Sequence, residues 1–160
     1  MQNVIGNVGI QTKVVDVQLT VQAAAYATGD VIGGKITIPN AMARDGGAGL
    51  LQSVVLCSKA DLTVNMDLVI FSADPANTTF TENGAVDIAT TDVAKVLGAI
   101  SLTTRVDLGT PVVAALNNLN MPVQAAADSR SLFACLVARG AYTPAATADV
   151  ILRFGIQSNQ

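Results

Sequence analysis

Short segments in which apolar and polar residues alternate run through this chain and restrict it to β-structure. The clearest is VVDVQLTVQ at residues 14–22, where every second residue from Val15 to Val21 is apolar and the residues between are polar. A period of two places the apolar side chains on one face of a strand and the polar ones on the other. The pattern therefore predicts a strand in a sheet that has one face in the core.

Similar segments recur with turn signals every 8–15 residues. DLVIF, at 67–71, is apolar at consecutive positions and predicts a central strand buried on both faces. Gly33-Gly34 indicates a bulge within its strand. Residues 112–127 fit either a short helix or two weak strands broken by Pro122. The other predicted strands are 31–39, 50–59, 66–72, 99–106, 132–138 and 150–156, with a short edge strand at Val86 and Ile88.

One segment has a helical pattern. Thr90 or Thr91 is suited to cap a helix, and Asp92 suits its first turn. The apolar residues from Val93 to Ile100 recur at i, i+3, i+4 and i+7. We expect two to three turns, because Gly98 favours an early end.

These elements predict an all-β fold: a two-sheet antiparallel β-sandwich, jelly-roll-like, with one short helix. A chain of 160 residues fits one domain, and no linker or internal repeat divides it. Residues 14–160 are expected to form this domain. Residues 1–13 are polar with scattered apolar positions and are expected to form a flexible N-terminal arm.

The sequence contains no histidine, which excludes Ser-His-Asp and Cys-His catalysis and histidine-ligated metals. Carboxylates remain, but they fall in loop-like segments with few aromatic residues nearby, so we expect neither an enzyme nor a cofactor or metal site. Binding of Ca²⁺ by acidic loops stays open, although EF-hand spacing is absent. The carboxylates considered are Asp61, Asp67, Asp74, Glu82 and Asp87, and the Ca²⁺ set is Asp74, Asn77, Glu82 and Asn83.

Charged residues make up only 13% of the chain, about half the usual share in soluble domains. Much of the surface is therefore expected to be buried against other chains, although a neutral, Thr-rich surface is the alternative. Scattered basic residues and a net charge of −3 argue against nucleic-acid binding. With no long apolar segment and no signal-peptide pattern, we expect no membrane contact and synthesis in a cytoplasm.

Both cysteines lie in apolar stretches. Cys57 is in SVVLCSK and Cys135 is in SLFACLV. Two buried free thiols are the expectation. Pairing would require neighbouring strands, which the sequence does not establish.

Three longer runs resemble a family of small virion proteins of tailed bacteriophages. They are AYATGDVIGGKITIPNAMARDGGAGLLQSVVL, DLVIFSADPANTTFTENGAVDIATTDVAKVLGAISL and LFACLVARGAYTPAATADVILRF. The resemblance covers roughly residues 15–155. It rests on the whole pattern and on pieces such as GDVIGG at 29–34 and AYTP at 141–144, without a catalytic motif.

The resemblance is to capsid decoration, or cement, proteins and implies a subunit on the outer surface of a phage head that bridges capsid subunits. Its implied partners are the major capsid protein and copies of itself, as a dimer or trimer. A phage tail or fibre component, or a carbohydrate- or Ca²⁺-dependent binding module, is the alternative. The arm and the glycine-containing loop at 41–49 are expected to reach neighbours. The candidate interface residues are Met1, Gln2, Asn3, Val4, Ile5, Arg44, Arg130 and Arg139.

Overall fold

The computed structural model describes residues 9–159. Within this range the chain forms nine strands and a single-turn 3₁₀ helix, Val93–Lys95. The strands are β1 (Ile10–Gln18), β2 (Val31–Ile38), β3 (Ala48–Ser58), β4 (Met66–Phe71), β5 (Val96–Leu102), β6 (Arg105–Asp107), β7 (Val112–Gln124), β8 (Leu132–Ala138) and β9 (Val150–Asn159).

The strands form two sheets, of order β1-β9-β3-β7-β6 and β2-β8-β4-β5, and all their pairs are antiparallel. Sequence-remote strands pair as nested hairpins: β4 with β5, β3 with β7, β2 with β8 and β1 with β9. Together these nested pairs form one long hairpin, which is folded over so that β3 also pairs with β9 and β4 also pairs with β8. The wrapped arrangement is a jelly roll. The predicted β-sandwich is confirmed.

The main core lies between the two sheets and follows the predicted alternation. In β9, Val150, Leu152, Phe154 and Ile156 are at most 1% exposed, whereas the residues between them point outward. The central strand β4 contributes buried residues from both of its faces, as DLVIF predicted. The bulge predicted at Gly33-Gly34 is confirmed, because the β2–β8 register shifts between Ile32 and Ile36.

The first strand begins earlier than expected. Ile10 already pairs with Asn159, so residues 10–13 belong to the sheet and not to an arm. The period-two pattern did not extend back that far because Gln11 and Thr12 are both exposed at the sheet edge. Residues 1–8 lie outside the described residues, and an arm there stays a prediction.

The predicted helix is much shorter than its pattern indicated. Only Val93–Lys95 is helical, and Val96 already has extended backbone with φ −68° and ψ 122°. Residues from Val96 onward form β5 and pair with β4. The i, i+3, i+4, i+7 spacing up to Ile100 was a coincidence, because strand pairing with β4 determines the conformation of Val96–Leu102.

Two other segments differ from expectation. Residues 112–124 form one long strand, in which Asn118 and Asn120 take positive φ angles of 59° and 48°. Asparagine tolerates this conformation better than most residues. Val86 and Ile88 do not form a strand, and only the neighbouring Ala85 makes an isolated bridge, to Asp30.

Candidate interaction surface

The two sheets differ in what covers their outer faces. The loop between β4 and β5, residues 72–95, packs over the outside of the four-stranded sheet. Phe80, Val86 and Ile88 of this loop join a second apolar cluster, in which Phe80 meets Phe71 edge-on with ring centroids 6.1 Å apart. The strand residues buried in the cluster are Val31, Phe71, Cys135 and Val137. This sheet therefore has apolar contacts on both faces.

Asp92 joins separate parts of the covering loop to one another. Its carboxylate is fully buried and lies 2.8 Å from Lys95 Nζ. The Thr78 hydroxyl (2.8 Å) and the Asn77 backbone N–H (3.0 Å) also donate to it. The hydrogen bond from Lys95, with those from Thr78 and Asn77, lowers the pKa of Asp92 to about 2. The loop thus depends on an ionised carboxylate.

The outer face of the five-stranded sheet has no such cover from the described chain. We call its outward-facing residues the open face. They are Ile10, Thr12, Val14, Asp16 and Gln18 of β1; Ile151, Arg153, Gly155, Gln157 and Asn159 of β9; Ala48, Leu50, Ser53, Val55 and Cys57 of β3; Val113, Ala115, Asn117, Pro122 and Gln124 of β7; and Val106 of β6.

About half of the residues of the open face are apolar, and the face has no net charge. One row across it runs through Ile151, Cys57, Val113 and Val106, which are directly paired on adjacent strands. Val14 is 63% exposed and Val106 57% exposed. Extended arrays of such side chains mark protein contact surfaces more often than isolated ones do.

Asp16 and Arg153 are the charged residues of the open face, and they neutralise each other. Arg153 donates two hydrogen bonds to the Asp16 carboxylate, at 2.7 and 2.9 Å. The hydrogen bond lowers the pKa of Asp16 and raises that of Arg153. A partner covering this face meets no uncompensated charge.

The open face has a cleft at one corner and protruding side chains at the opposite corner. The cleft, of about 290 Å³, is lined by Ile10, Ala48, Gly49, Leu50, Gln157 and Asn159. At the far end of the sheet, Val106 of β6 and Leu108 just after it are 57% and 61% exposed. The face therefore carries both a hollow and, at the opposite corner, exposed apolar side chains.

The three arginines predicted as interface residues lie outside the open face and do not form one group. Arg130 pairs with Asp45 at 3.1 Å, beside the exposed Arg44. Lys13 Nζ donates to Asn40 O, and the N–H of Met42, two residues later, donates to Arg130 O, which places Arg130 near the start of β1. Burial and the positive charge of Arg130 lower the pKa of Lys13. Arg139 instead pairs with Asp67 of β4, at 2.6 Å.

The predicted residues Met1, Gln2, Asn3, Val4 and Ile5 lie outside the described residues. Their proposed role in contacts is therefore a prediction. The first described residue, residue 9, directly precedes Ile10 of β1.

The glycine-containing loop at 41–49 is packed more tightly than expected of a flexible connection. Ala41 and Met42 are at most 1% exposed. The Gly46 N–H donates to Ala126 O and Ser129 O, and Met42 N–H donates to Arg130 O. Arg44 and Asp45 at its tip remain exposed, so only the tip is available to a neighbour.

The proposed Ca²⁺-binding residues have separate partners. Asp74 pairs with Lys35 at 2.7 Å, Asn77 bonds Asp92, and Glu82 accepts a hydrogen bond from Tyr26. Across residues 9–159, no group of three or more Asp, Glu, Cys or His side chains is placed to hold a metal ion.

The two cysteines are free and face away from each other. Cys57 lies on the open face, whereas Cys135 is buried under the covering loop on the opposite side of the sandwich. Burial raises the pKa of Cys135 to about 12. A disulfide between them would require the side chains to converge, which this arrangement prevents.

Fold and surface together define a jelly-roll sandwich with one covered and one open face. No protein-family model and no curated protein sequence matches the chain. In the part of the chain that the structure describes, no helix has the length and apolar character needed to cross a membrane.

Among solved structures, the chain is similar to one from Desmodium yellow mottle tymovirus, with 16% identity, a TM-score of 0.32, and coverage of 100% of this chain and 86% of that chain. It is also similar to one from turnip yellow mosaic virus, with 11% identity, a TM-score of 0.32, and coverage of 96% and 94%. A second turnip yellow mosaic virus structure, determined at 100 K, gives 14% identity, a TM-score of 0.31, and coverage of 94% and 93%. Superpositions this loose do not establish a common function.

Proposed function

We propose that this protein is a non-enzymatic structural subunit of a virion, and specifically a decoration or cement protein on the outer surface of a phage capsid. The observation that carries the proposal is the open face, a sheet surface with no net charge and many apolar side chains, and without a covering segment among the described residues. Such a surface is suited to permanent contact with protein. The sequence resemblance to phage decoration proteins is the reason for proposing a phage capsid as the site of action.

In this role the molecule acts by packing and not by chemistry. Each copy contributes modest contacts, and repetition over a shell makes release slow, because several contacts must break together. A rigid sandwich suits this task, since its interfaces are already formed before binding and little ordering is needed. Its partners are then the major capsid protein and further copies of itself.

Contacts with the shell are assigned to residues 1–8 and to the corner around Arg44 and Arg130. Lys13 Nζ donates to Asn40 O, and Met42 N–H donates to Arg130 O, so this corner lies beside β1 on the side away from the open face. Arginine is enriched at interfaces because its planar fork makes several hydrogen bonds at once. Arg139 contacts Asp67 and Asn65 at a separate place and is proposed as a second point of contact.

The test is co-sedimentation of the purified protein with empty heads built from the major capsid protein of the same virus. We expect saturable binding and a higher disruption temperature of the heads. Deleting residues 1–8, or introducing Arg44→Glu with Arg130→Glu, should weaken binding at least tenfold, because both changes remove proposed contacts with the shell. The deletion must stop before Ile10, since β1 starts there.

The matched control is Arg105→Glu, which changes an arginine bonded to Asn65 away from that corner. It should leave head binding unchanged. Absence of binding by the unmodified protein to heads would overturn the decoration role. Binding to isolated tail tubes in place of heads would favour the tail-component alternative.

A further inference from the structure

We infer that the open face packs against the open face of a second copy about a two-fold axis, with Val106 and Leu108 of each copy entering the cleft of the other. The inference deepens the proposed structural role and rests on it. It assigns one surface to contacts between copies and leaves the Lys13–Arg130 corner to the shell.

The shape of the open face is the first reason. The cleft at Ile10, Ala48 and Leu50 lies at one end of β1, β9 and β3. Val106 lies at the other end, on the edge strand of the opposite side, β6. A two-fold rotation can bring such diagonally opposed corners together twice in one contact. A foreign partner would have to provide a matching hollow and protrusion, whereas a copy already has both.

The electrostatics of the face also suit a copy. In a contact between two copies about a two-fold axis, a charged side chain near the axis lies close to the same side chain of the other copy. An unpaired charge there is therefore repelled by its symmetry mate. Here the acid and the base of the face, Asp16 and Arg153, are bonded to each other within one molecule. Covering them therefore does not bring uncompensated like charges together.

The size of the face is adequate for a stable dimer. Five strands at about 4.8 Å spacing and about nine residues at 3.4 Å give roughly 700 Å² in plan. Stable interfaces bury about 800 Å² on each partner. The edge residues Val14 and Leu108, which are 63% and 61% exposed, extend the apolar contact to the rim.

Engineered disulfides test this arrangement directly. Ala48→Cys and Val106→Cys are combined in a Cys57→Ser background, and the protein is oxidised and run on a non-reducing gel. Within one chain these positions are more than about 25 Å apart, estimated from strand spacing and rise, far beyond the roughly 4.4–6.8 Å between Cα atoms that a disulfide spans. We expect a covalent dimer that does not form with either cysteine alone.

A ladder of higher multimers would overturn the two-fold arrangement, because it would mean an open head-to-tail contact. A monomer band alone would overturn the contact itself. Light scattering of two further variants gives an independent measure. Filling the cleft with Ala48→Trp, or placing charge on the protruding side with Val106→Lys, should each convert the dimer to a monomer.

The matched controls are Thr37→Trp and Thr37→Lys, at an exposed site of β2 in the other sheet. Both should remain dimeric with unchanged thermal stability. Head binding distinguishes this inference from the proposed function. A protein that binds heads but is monomeric would overturn the inference alone, whereas a dimer that does not bind heads would overturn the proposed function and keep the dimer contact.

Discussion

The carboxylate of Asp92 and the ammonium group of Lys95, three residues later, form an ion pair with an O–N distance of 2.8 Å under the loop that covers the four-stranded sheet. The Asp92 side chain is inaccessible to solvent, and Lys95 also donates to the Asp74 carbonyl at 2.7 Å. Lys95 thus joins the start of the covering loop, at Asp74, to its end at Asp92.

Acid should loosen this loop before it unfolds the sandwich. The pKa of Asp92 is lowered from an ordinary 3.8 to about 2. A carboxyl group with a lowered pKa stabilises the fold fully above the ordinary value, and the contribution is lost as pH falls towards the lowered one. We expect the protection factors of amide hydrogen exchange at residues 72–95, which correct for the intrinsic pH dependence of exchange, to fall between about pH 4 and pH 2. Asp92→Asn should exchange faster already at pH 7 and lose this pH dependence, and equal acid sensitivity in the variant would contradict the assignment.

Removing Phe80 should expose the second apolar cluster. Phe80 packs edge-on against the buried Phe71. Phe80→Ala loses that contact and part of its burial, so we expect a stability loss of about 2 kcal/mol and stronger binding of a hydrophobic dye. Denaturant unfolding followed by circular dichroism measures the first effect. Phe80→Leu is the control and should retain most of the stability; an unchanged Phe80→Ala would show that the loop contact is not stabilising.

The bulge of β2 provides a pair of adjacent glycines with different surroundings. Gly33 has φ +78° and an added Cβ would lie 3.0 Å from Leu19, whereas at Gly34, with φ +64°, the nearest atom is 3.6 Å away. Gly34→Ala should cost about 1–2 kcal/mol for the left-handed backbone alone. Gly33→Ala adds crowding against Leu19 and should cost about 2–4 kcal/mol. Urea denaturation of both variants checks the order, and equal losses would contradict the crowding argument.

The two thiols should differ sharply in reactivity. Cys135 is buried with its pKa raised to about 12, while Cys57 is partly exposed on the open face. Because the thiolate is the reactive form, a maleimide should modify one thiol per chain in the native protein and two after unfolding. Cys57→Ser should abolish the native reaction, measured by intact mass. If copies pack through the open face, labelling of Cys57 should slow as protein concentration rises.

Much of the fold could be predicted from local pattern. Alternation identified the strand through Val15 and Val17, the paired glycines identified the bulge in β2, and consecutive apolar residues identified β4 as central. The secondary-structure predictions were wrong where the local sequence pattern did not distinguish one conformation from another. Val96–Leu102 has helical spacing but forms a strand, because hydrogen bonding to β4 is available only in the folded molecule. The start of β1 was missed because pairing with β9, 140 or more residues away in sequence, orders Ile10–Lys13 without an apolar pattern.

The sequence by itself determined that the chain is β-rich, that histidine chemistry is impossible and that charged residues make up only 13% of the chain. Those properties depend on residue types and on their spacing along the chain. Only the tertiary structure decided which surface is left uncovered. Strand order brings Ile151, Cys57, Val113 and Val106 into one row, and packing of Phe80 against Phe71 keeps the covering loop on the other sheet. Both outcomes depend on contacts between residues far apart in sequence, which local periodicity does not encode.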